Sequence, residues 1–308
     1  MRAVHEAFEC ATSHRLPIFV ISLKRRTDRL RHMRALLAAR GLEAEFVEAV
    51  DGMALTAEQR ALYDRQRALN VYGADMNPAE IGCHLSHLKV YQLIVERGVD
   101  TALVLEDDID CDADFGELLD GVLARPRRDW LILRLQSIKG EIIKGDRPAT
   151  QGDRVETIRG RSLARVRTGV VGGCAYLIRR EGARRMLSYA ERPFMPIDQT
   201  MDRYWENGIA PYVLRPFPVR QSPRIASEIS TRKVRAQLGP YGTAARRVRR
   251  AADGVRKRLF AVTRLGGWRR FAPVPPALGL ALHGLMGRRP NSPGPWRKPV
   301  APGVQSHV

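Results

Sequence analysis

The chain has 308 residues, long enough to bury a sizeable core as one large domain or two small ones. Its formal charge of +19 is unevenly placed: residues 231–308 hold 17 Lys and Arg against one acid, Asp253, which leaves 35 bases and 32 acids in residues 1–230. A uniformly basic protein is thereby excluded, and the high pI belongs to a C-terminal tail. Cys10, Cys83, Cys111 and Cys174 show no paired CxxC spacing, so neither a zinc site nor a disulfide framework is indicated.

In chain order, residues 1–15 read as an extension. The apolar run Leu16–Leu23 is a strand's length and lacks the h-region and cleavage site of a signal peptide. An Arg-rich turn follows, with Arg25, Arg26 and Arg29. FVEAVDG (46–52) reads as a second strand ending at Asp51 and Gly52. Asn77, Pro78 and Glu80 then form a helix start with a capping box, and Ile81, Leu85, Leu88 and Val95 recur on one face until Gly98 stops the helix.

Thr101–Leu105 (TALVL) is a short apolar run of the kind found in covered parallel sheets. Glu106, Asp107, Asp108, Asp110 and Asp112 crowd its carboxyl end, where open α/β sheets bind ligands. Carboxylates this close raise one another's pKa unless something positive sits among them. A hard cation such as Mg2+ or Mn2+, itself holding a phosphate-bearing substrate, suits the pattern. A solvated acidic turn with Asp112 or Asp114 capping the next helix is the plainer alternative. Further on, Gly172 and Gly173 allow a close backbone approach or simply mark a strand entry.

GCHLSH (82–87) followed by LVLEDD (103–108) resembles glycosyltransferase family 25, which includes bacterial lipopolysaccharide and lipooligosaccharide galactosyltransferases and animal procollagen galactosyltransferases. PIFVISLKRRTDRL (17–30), FVEAVDG (46–52), GGCAYLIRREGARRML (172–187) and PIDQTMDRYW (196–205) resemble further segments of that family in its order, and QSPRIASEIS (221–230) is a weaker echo. The resemblance covers roughly residues 17–230. It implies an α/β fold, GT-A-like and Rossmann-type, with a mixed central sheet binding a nucleotide sugar. A 16–230 catalytic domain would be followed by a 231–308 tail, part basic helix and part disordered.

The resemblance also implies a metal-assisted, inverting transfer of a sugar, galactose foremost, from a UDP-sugar to a lipid-linked or oligosaccharide acceptor. Glu106 and Asp108 match the spacing of an Asp-x-Asp metal motif, and Asp107 would contact the donor ribose or sugar. Asp110 and Asp112 fall outside the match and remain surface carboxylates. Asp198 is the candidate base for the acceptor hydroxyl, with Asp202 a weaker alternative; Asp198 could equally cap a helix over 198–207. Leu23, Arg25, Arg29, Asp51, Ser86 and His87 join Asp107 as donor-site candidates. Arg25 and Arg29 could instead be a solvated helix start, Asp51 only a turn, and Ser86 and His87 a packing network. His84, three residues before His87, reads as structural.

In the tail, Val248, Val255, Leu259 and Val262, filled in by Ala251 and Ala252, form an apolar stripe among Arg246, Arg247, Arg249, Arg250, Arg256, Lys257, Arg258 and Arg264. Residues 243–287 therefore read as a surface for an anionic membrane: a basic amphipathic helix, then an apolar stretch (273–287) too short to span. A nucleic-acid arm is disfavoured by the few aromatics and the lack of a motif. The expected setting is bacterial and cytoplasmic, peripheral on the inner face of the membrane. A binding protein that kept the fold without turnover is the alternative.

Overall fold

The computed structural model describes residues 16–125, 129–138, 142–143, 147–148, 152–166, 169–223, 225 and 240–264. The N-terminal extension, most of the 221–230 echo and the stretches after residue 264 lie outside the described residues. The chain runs β1 (Ile18–Ser22), α1 (Thr27–Ala38), β2 (Glu45–Glu48), a 3-10 turn at Gly52–Ala54, α2 (Ala57–Ala61), α3 (Arg65–Arg67) and a π-helical turn at Ala68–Tyr72. Next come α4 (Pro78–Glu96), β3 (Thr101–Glu106), β4 (Ile109–Cys111), α5 (Phe115–Leu123), β5 (Ile132–Arg134), β6 (Ile142–Ile143), β7 (Arg147–Pro148), β8 (Gly152–Ile158) and β9 (Arg161–Val166). The remainder is β10 (Ala175–Arg179), α6 (Arg180–Ala190), α7 (Ile197–Met201), α8 (Tyr204–Asn207), β11 (Tyr212–Arg215), β12 (Val219–Gln221) and α9 (Pro240–Arg264).

Eight strands form one sheet in the order β2-β1-β3-β10-β5-β11-β9-β8. β1 is parallel to β2 and β3, β10 is antiparallel between β3 and β5, and β11 is parallel to β5. The architecture is the expected α/β one with a mixed central sheet. Residues alternate between two cores, as a strand buried on both faces requires. Ile18, Val20, Leu103 and Leu105 pack under α1 and α5 with Met33, Leu37, Phe115 and Leu118. Phe19, Ile21, Val104 and Tyr176 pack under α4 and α6 with Val90, Tyr91, Ile94 and Met186.

α4 carries the predicted capping box: Glu80 N donates to Asn77 Oδ1 at 2.8 Å, and Asn77 N donates to Glu80 Oε2 at 2.9 Å. A single apolar face proves too narrow a description, since Gly82, His84, Ser86, His87, Val90 and Tyr91 are buried as well. Two glycines let this helix press onto the turn after β2. A Cβ on Gly82 would lie 2.6 Å from Val50 O, and one on Gly52 would lie 2.2 Å from Pro78 O.

The expected helix over 198–207 is two short helices, α7 and α8, broken at Asp202–Arg203. Asn207 Nδ2 donates to the carbonyls of Thr200 and Met201, and Arg203 turns to pair with Glu206 at 2.6 Å. The predicted basic helix exists as α9, and the compact unit that includes it extends to Leu265. It packs on α8: Asp253 accepts from Arg203 at 3.0 Å and Trp205 Nε1 at 3.3 Å, while the Phe260 and Tyr204 rings lie 5.4 Å apart. Val248 and Val255, 70% and 56% exposed, point away from that contact.

Candidate functional site

The carboxyl ends of β1 and β3 and the entry to β10 open into one cleft of about 690 Å³. It is lined by Leu23, Arg25, Arg29, Asp51, Ser86, His87, Glu106, Asp107, Asp108 and Asp198, so these site candidates read from the sequence border the same space, whereas Asp202, the weaker alternative base, does not line it. The three consecutive carboxylates have different jobs. Glu106 ends β3 on the α4 side of the sheet. Its Oε1 lies 3.2 Å from His87 Nε2 and 3.9 Å from Cys83 Sγ. His87 Nδ1 is 2.7 Å from the Tyr176 hydroxyl, which is 2.9 Å from that of Tyr91. With Nδ1 accepting from Tyr176, the other nitrogen carries the proton and donates to Glu106, which fixes the carboxylate.

Asp107 turns the other way. It accepts from Ser22 Oγ at 2.7 Å and from Arg29 Nη1 at 2.8 Å, in a buried pair. Asp108 is also buried: one oxygen accepts from Gln221 Nε2 at 3.1 Å, and Oδ1 has no hydrogen-bond partner among the described residues. Burial first, and the neighbouring Glu106 second, push the Asp108 carboxyl up to about 6. A buried carboxylate oxygen without a partner, beside a second carboxylate, fits a hard divalent cation. Cys83 Sγ, His87 Nε2 and a Glu106 oxygen also lie within 4.8 Å of one another, a donor set for a softer ion that sequence spacing did not indicate. Burial and Glu106 keep the Cys83 thiol protonated.

Asp198 faces Glu106 across Gly173: a Cβ there would lie 3.5 Å from Asp198 Cβ and 3.7 Å from Glu106 Oε1. Pro196, with no side-chain cap, starts α7, so Asp198 does not cap it. Its Oδ2 accepts from Gly172 N at 3.0 Å and its Oδ1 from Gln199 N at 2.8 Å. Asp202, one turn on, accepts from Val171 N at 2.8 Å, and burial raises its pKa.

On the opposite wall, Asp51 accepts from Arg25 Nε at 2.8 Å and from Met53 N at 2.9 Å, and these two donors, Arg25 first, lower its pKa. Ser86 ties α4 to this turn, donating to Gly82 O and accepting from Val50 N, at 2.7 and 2.8 Å. His84 is structural in its contacts. Its ring nitrogens lie 3.0 Å from Met195 O and 2.9 Å from Ala190 O, on the segment leading to Asp198. Asp110 lies within β4 and Asp112 directly follows it, with Asp112 paired to Arg161 at 2.8 Å.

Sequence reasoning missed Cys83, Arg134, Gln136, Tyr176 and Gln221. Arg134 and Gln136 alternate with Leu133 and Leu135, a two-residue period that could have marked a strand with a polar side.

The profile described as "Glycosyltransferase family 25 (LPS biosynthesis protein)" matches residues 15–201. The chain belongs to glycosyltransferase family 25. It is 27% identical over 218 residues to procollagen galactosyltransferase 1 of Danio rerio, covering 65% of this chain and 35% of that protein. It is 34% identical over 130 residues to procollagen galactosyltransferase 2 of Homo sapiens, covering 38% and 20%. It is 29% identical over 196 residues to the inactive glycosyltransferase 25 family member 3 of Homo sapiens, covering 59% and 30%. The chain thus spans about a third or less of the length of these relatives.

Proposed function

We propose that this chain transfers a hexose, galactose foremost, from a UDP-sugar to a saccharide acceptor, with inversion and with help from a divalent metal. The observation that carries the reading is the convergence of Glu106, Asp108 and Asp198 in one cleft at the strand ends. The procollagen galactosyltransferases among the relatives support galactose as the sugar.

Transfer breaks the bond from the anomeric carbon to the diphosphate oxygen and forms one to the acceptor oxygen, whose proton must leave. Asp198 takes that proton; the two backbone N–H groups hold its carboxylate in place without adding a charge. Glu106 and Asp108 would hold Mn2+ or Mg2+, which would neutralise charge growing on the departing diphosphate. Arg25 and Asp51 close the nucleotide side. Arg29 and Asp107 act by shaping the wall, because their charges are engaged with each other.

The acceptor we favour is a lipid-linked or oligosaccharide chain of lipopolysaccharide or another cell-surface glycan, met at the cytoplasmic face of a bacterial membrane. Exposed Val248 and Val255 on α9, among exposed arginines, support docking on anionic lipid. A second reading, a carbohydrate-binding protein without turnover, is supported by the relative named as inactive. UDP release from UDP-galactose, UDP-glucose and UDP-N-acetylglucosamine, with and without Mn2+ and with an oligosaccharide acceptor mixture, decides between them. Metal-dependent release abolished by Asp108→Ala establishes the transferase. Donor binding with no release by the wild-type chain establishes the binder.

A further inference from the structure

The segment that follows β5 brings a neutral polar side chain to the cleft that neither the metal-site nor the base assignment uses. Tyr176 of β10 pairs with Val104 on one side and with Arg134 on the other. One step beyond that register, Glu106 at the end of β3, Cys174 just before β10 and Gln136 two residues after β5 fall level with one another. The ladder continues there, with Glu106 N bonding Cys174 O and Leu135 N bonding Ala175 O. All three residues line the cleft. Two strand spacings separate the Gln136 backbone from that of Glu106, roughly 10 Å. Cys174 and the adjoining Gly173 line the cleft between them.

Gln136 is 3% exposed, and its Oε1 has no hydrogen-bond partner among the described residues. Buried amides are nearly always paired, so an unpaired one in a cleft wall calls for a partner supplied from outside. The surrounding backbone is arranged around this side chain at a cost. Val171 and Gly172 have φ of +52° and +107°, the first unfavourable for a β-branched residue. A Cβ on Gly172 would lie 2.4 Å from Gln136 Oε1. Asp202 and Asp198 hold the two N–H groups of this loop, and Arg134 donates to the Gly172 carbonyl. The loop that positions the candidate base is therefore also the loop that passes against the Gln136 carboxamide.

We propose that Gln136 reads a hydroxyl of the donor hexose, its carboxamide oxygen accepting the sugar O–H when the nucleotide sugar is seated, and so sets which hexose is used. The inference rests on the transferase reading. A carboxamide suits the task because it both accepts and donates hydrogen bonds and carries no charge to attract phosphate instead. A site built to bond a hydroxyl also rejects analogues that lack it.

The test uses the full chain, wild type and Gln136→Met, with the UDP-hexose that wild type turns over and its mono-deoxy analogues. Thermal unfolding without ligand and UDP affinity are measured beside kcat/KM. Gln136→Met should melt at or above wild type, because it removes an unpaired buried oxygen, and should bind UDP as wild type does. Its kcat/KM for the parent donor should fall about 10–100-fold. One deoxy donor, handled 10–100-fold worse than the parent by wild type, should show no such penalty in the variant. Equal deoxy penalties in both proteins overturn the inference, as does a lowered melting temperature with the same loss for every donor. No turnover of any UDP-sugar by wild type sinks the transferase reading itself, and the inference with it.

Discussion

Arg29 Nη1 lies 2.8 Å from Asp107 Oδ1, with each side chain 7% exposed. The middle carboxylate of the EDD triplet is therefore part of a buried ion pair joining α1 to the end of β3, while its neighbours face the cleft. Removing one partner strands the other charge in the interior. Asp107→Ala should lower stability by about 3–5 kcal/mol. Asp108→Ala should cost little stability and remove UDP release. Urea unfolding and turnover, measured on both variants, check this division. A stable, inactive Asp107→Ala would put that residue back among the donor contacts.

The contact between Gly82 and the turn at Val50–Gly52 predicts a second asymmetry. Gly82→Ala inserts a methyl group 2.6 Å from a backbone carbonyl, and α4 must move off the turn. The expected loss is about 1–3 kcal/mol. Because Asp51 sits on that turn, UDP affinity should weaken in parallel. Calorimetry with UDP on the purified variant would expose a glycine of no consequence by leaving both quantities unchanged.

His84 predicts a pH response. Two carbonyl oxygens favour the doubly protonated ring, but burial opposes it more strongly and lowers its pKa to about 4. The folded-state value lies below the ordinary 6.5, so the native state holds fewer protons than the unfolded state between the two. Stability is fully present above pH 6.5 and is lost as pH falls toward 4, by about 3 kcal/mol in all. His84→Gln should begin less stable and lack that part of the slope. Unfolding free energies at about pH 4.5, 5.5 and 7, which span most of this window, decide it; parallel curves for both proteins would refute the assignment.

Asp253 predicts where α9 loosens. Its carboxylate meets Arg203 and Trp205, and Arg203 keeps Glu206 as an alternative partner. Asp253→Ala should therefore leave the sheet intact and speed trypsin cleavage at Arg256, Arg258 and Arg264 about tenfold, the effect of roughly 1.4 kcal/mol in the opening equilibrium. Unchanged cleavage would mean that the Phe260 and Lys257 contacts with Tyr204 and Trp205 suffice.

β1, β3 and the start of α4 were legible because their signals are local: an apolar run of strand length, an Asn-Pro-x-Glu cap, and a glycine at φ +66° after the helix. The cleft candidates were legible through several short motifs in a fixed order. What stayed hidden depends on pairings distant in sequence. Arg29 and Asp107 are 78 residues apart, and His87 and Tyr176 are 89 apart. β5 is only three residues long and contains Arg134, so no apolar run announced it or the Gln136 that follows. The break between α7 and α8 arises from Asn207 capturing carbonyls six and seven residues back, which helical periodicity does not encode.

Asp253 is the single acid among the last 78 residues, and it is the one that ties α9 to Arg203 and Trp205. Together with Phe260 and Lys257 it braces the basic segment against α8 like a keel. The same helix also rests against the π-helical turn that ends at Tyr72 on the cleft wall. Whatever surface the arginines of α9 meet, the cleft meets it at a set tilt.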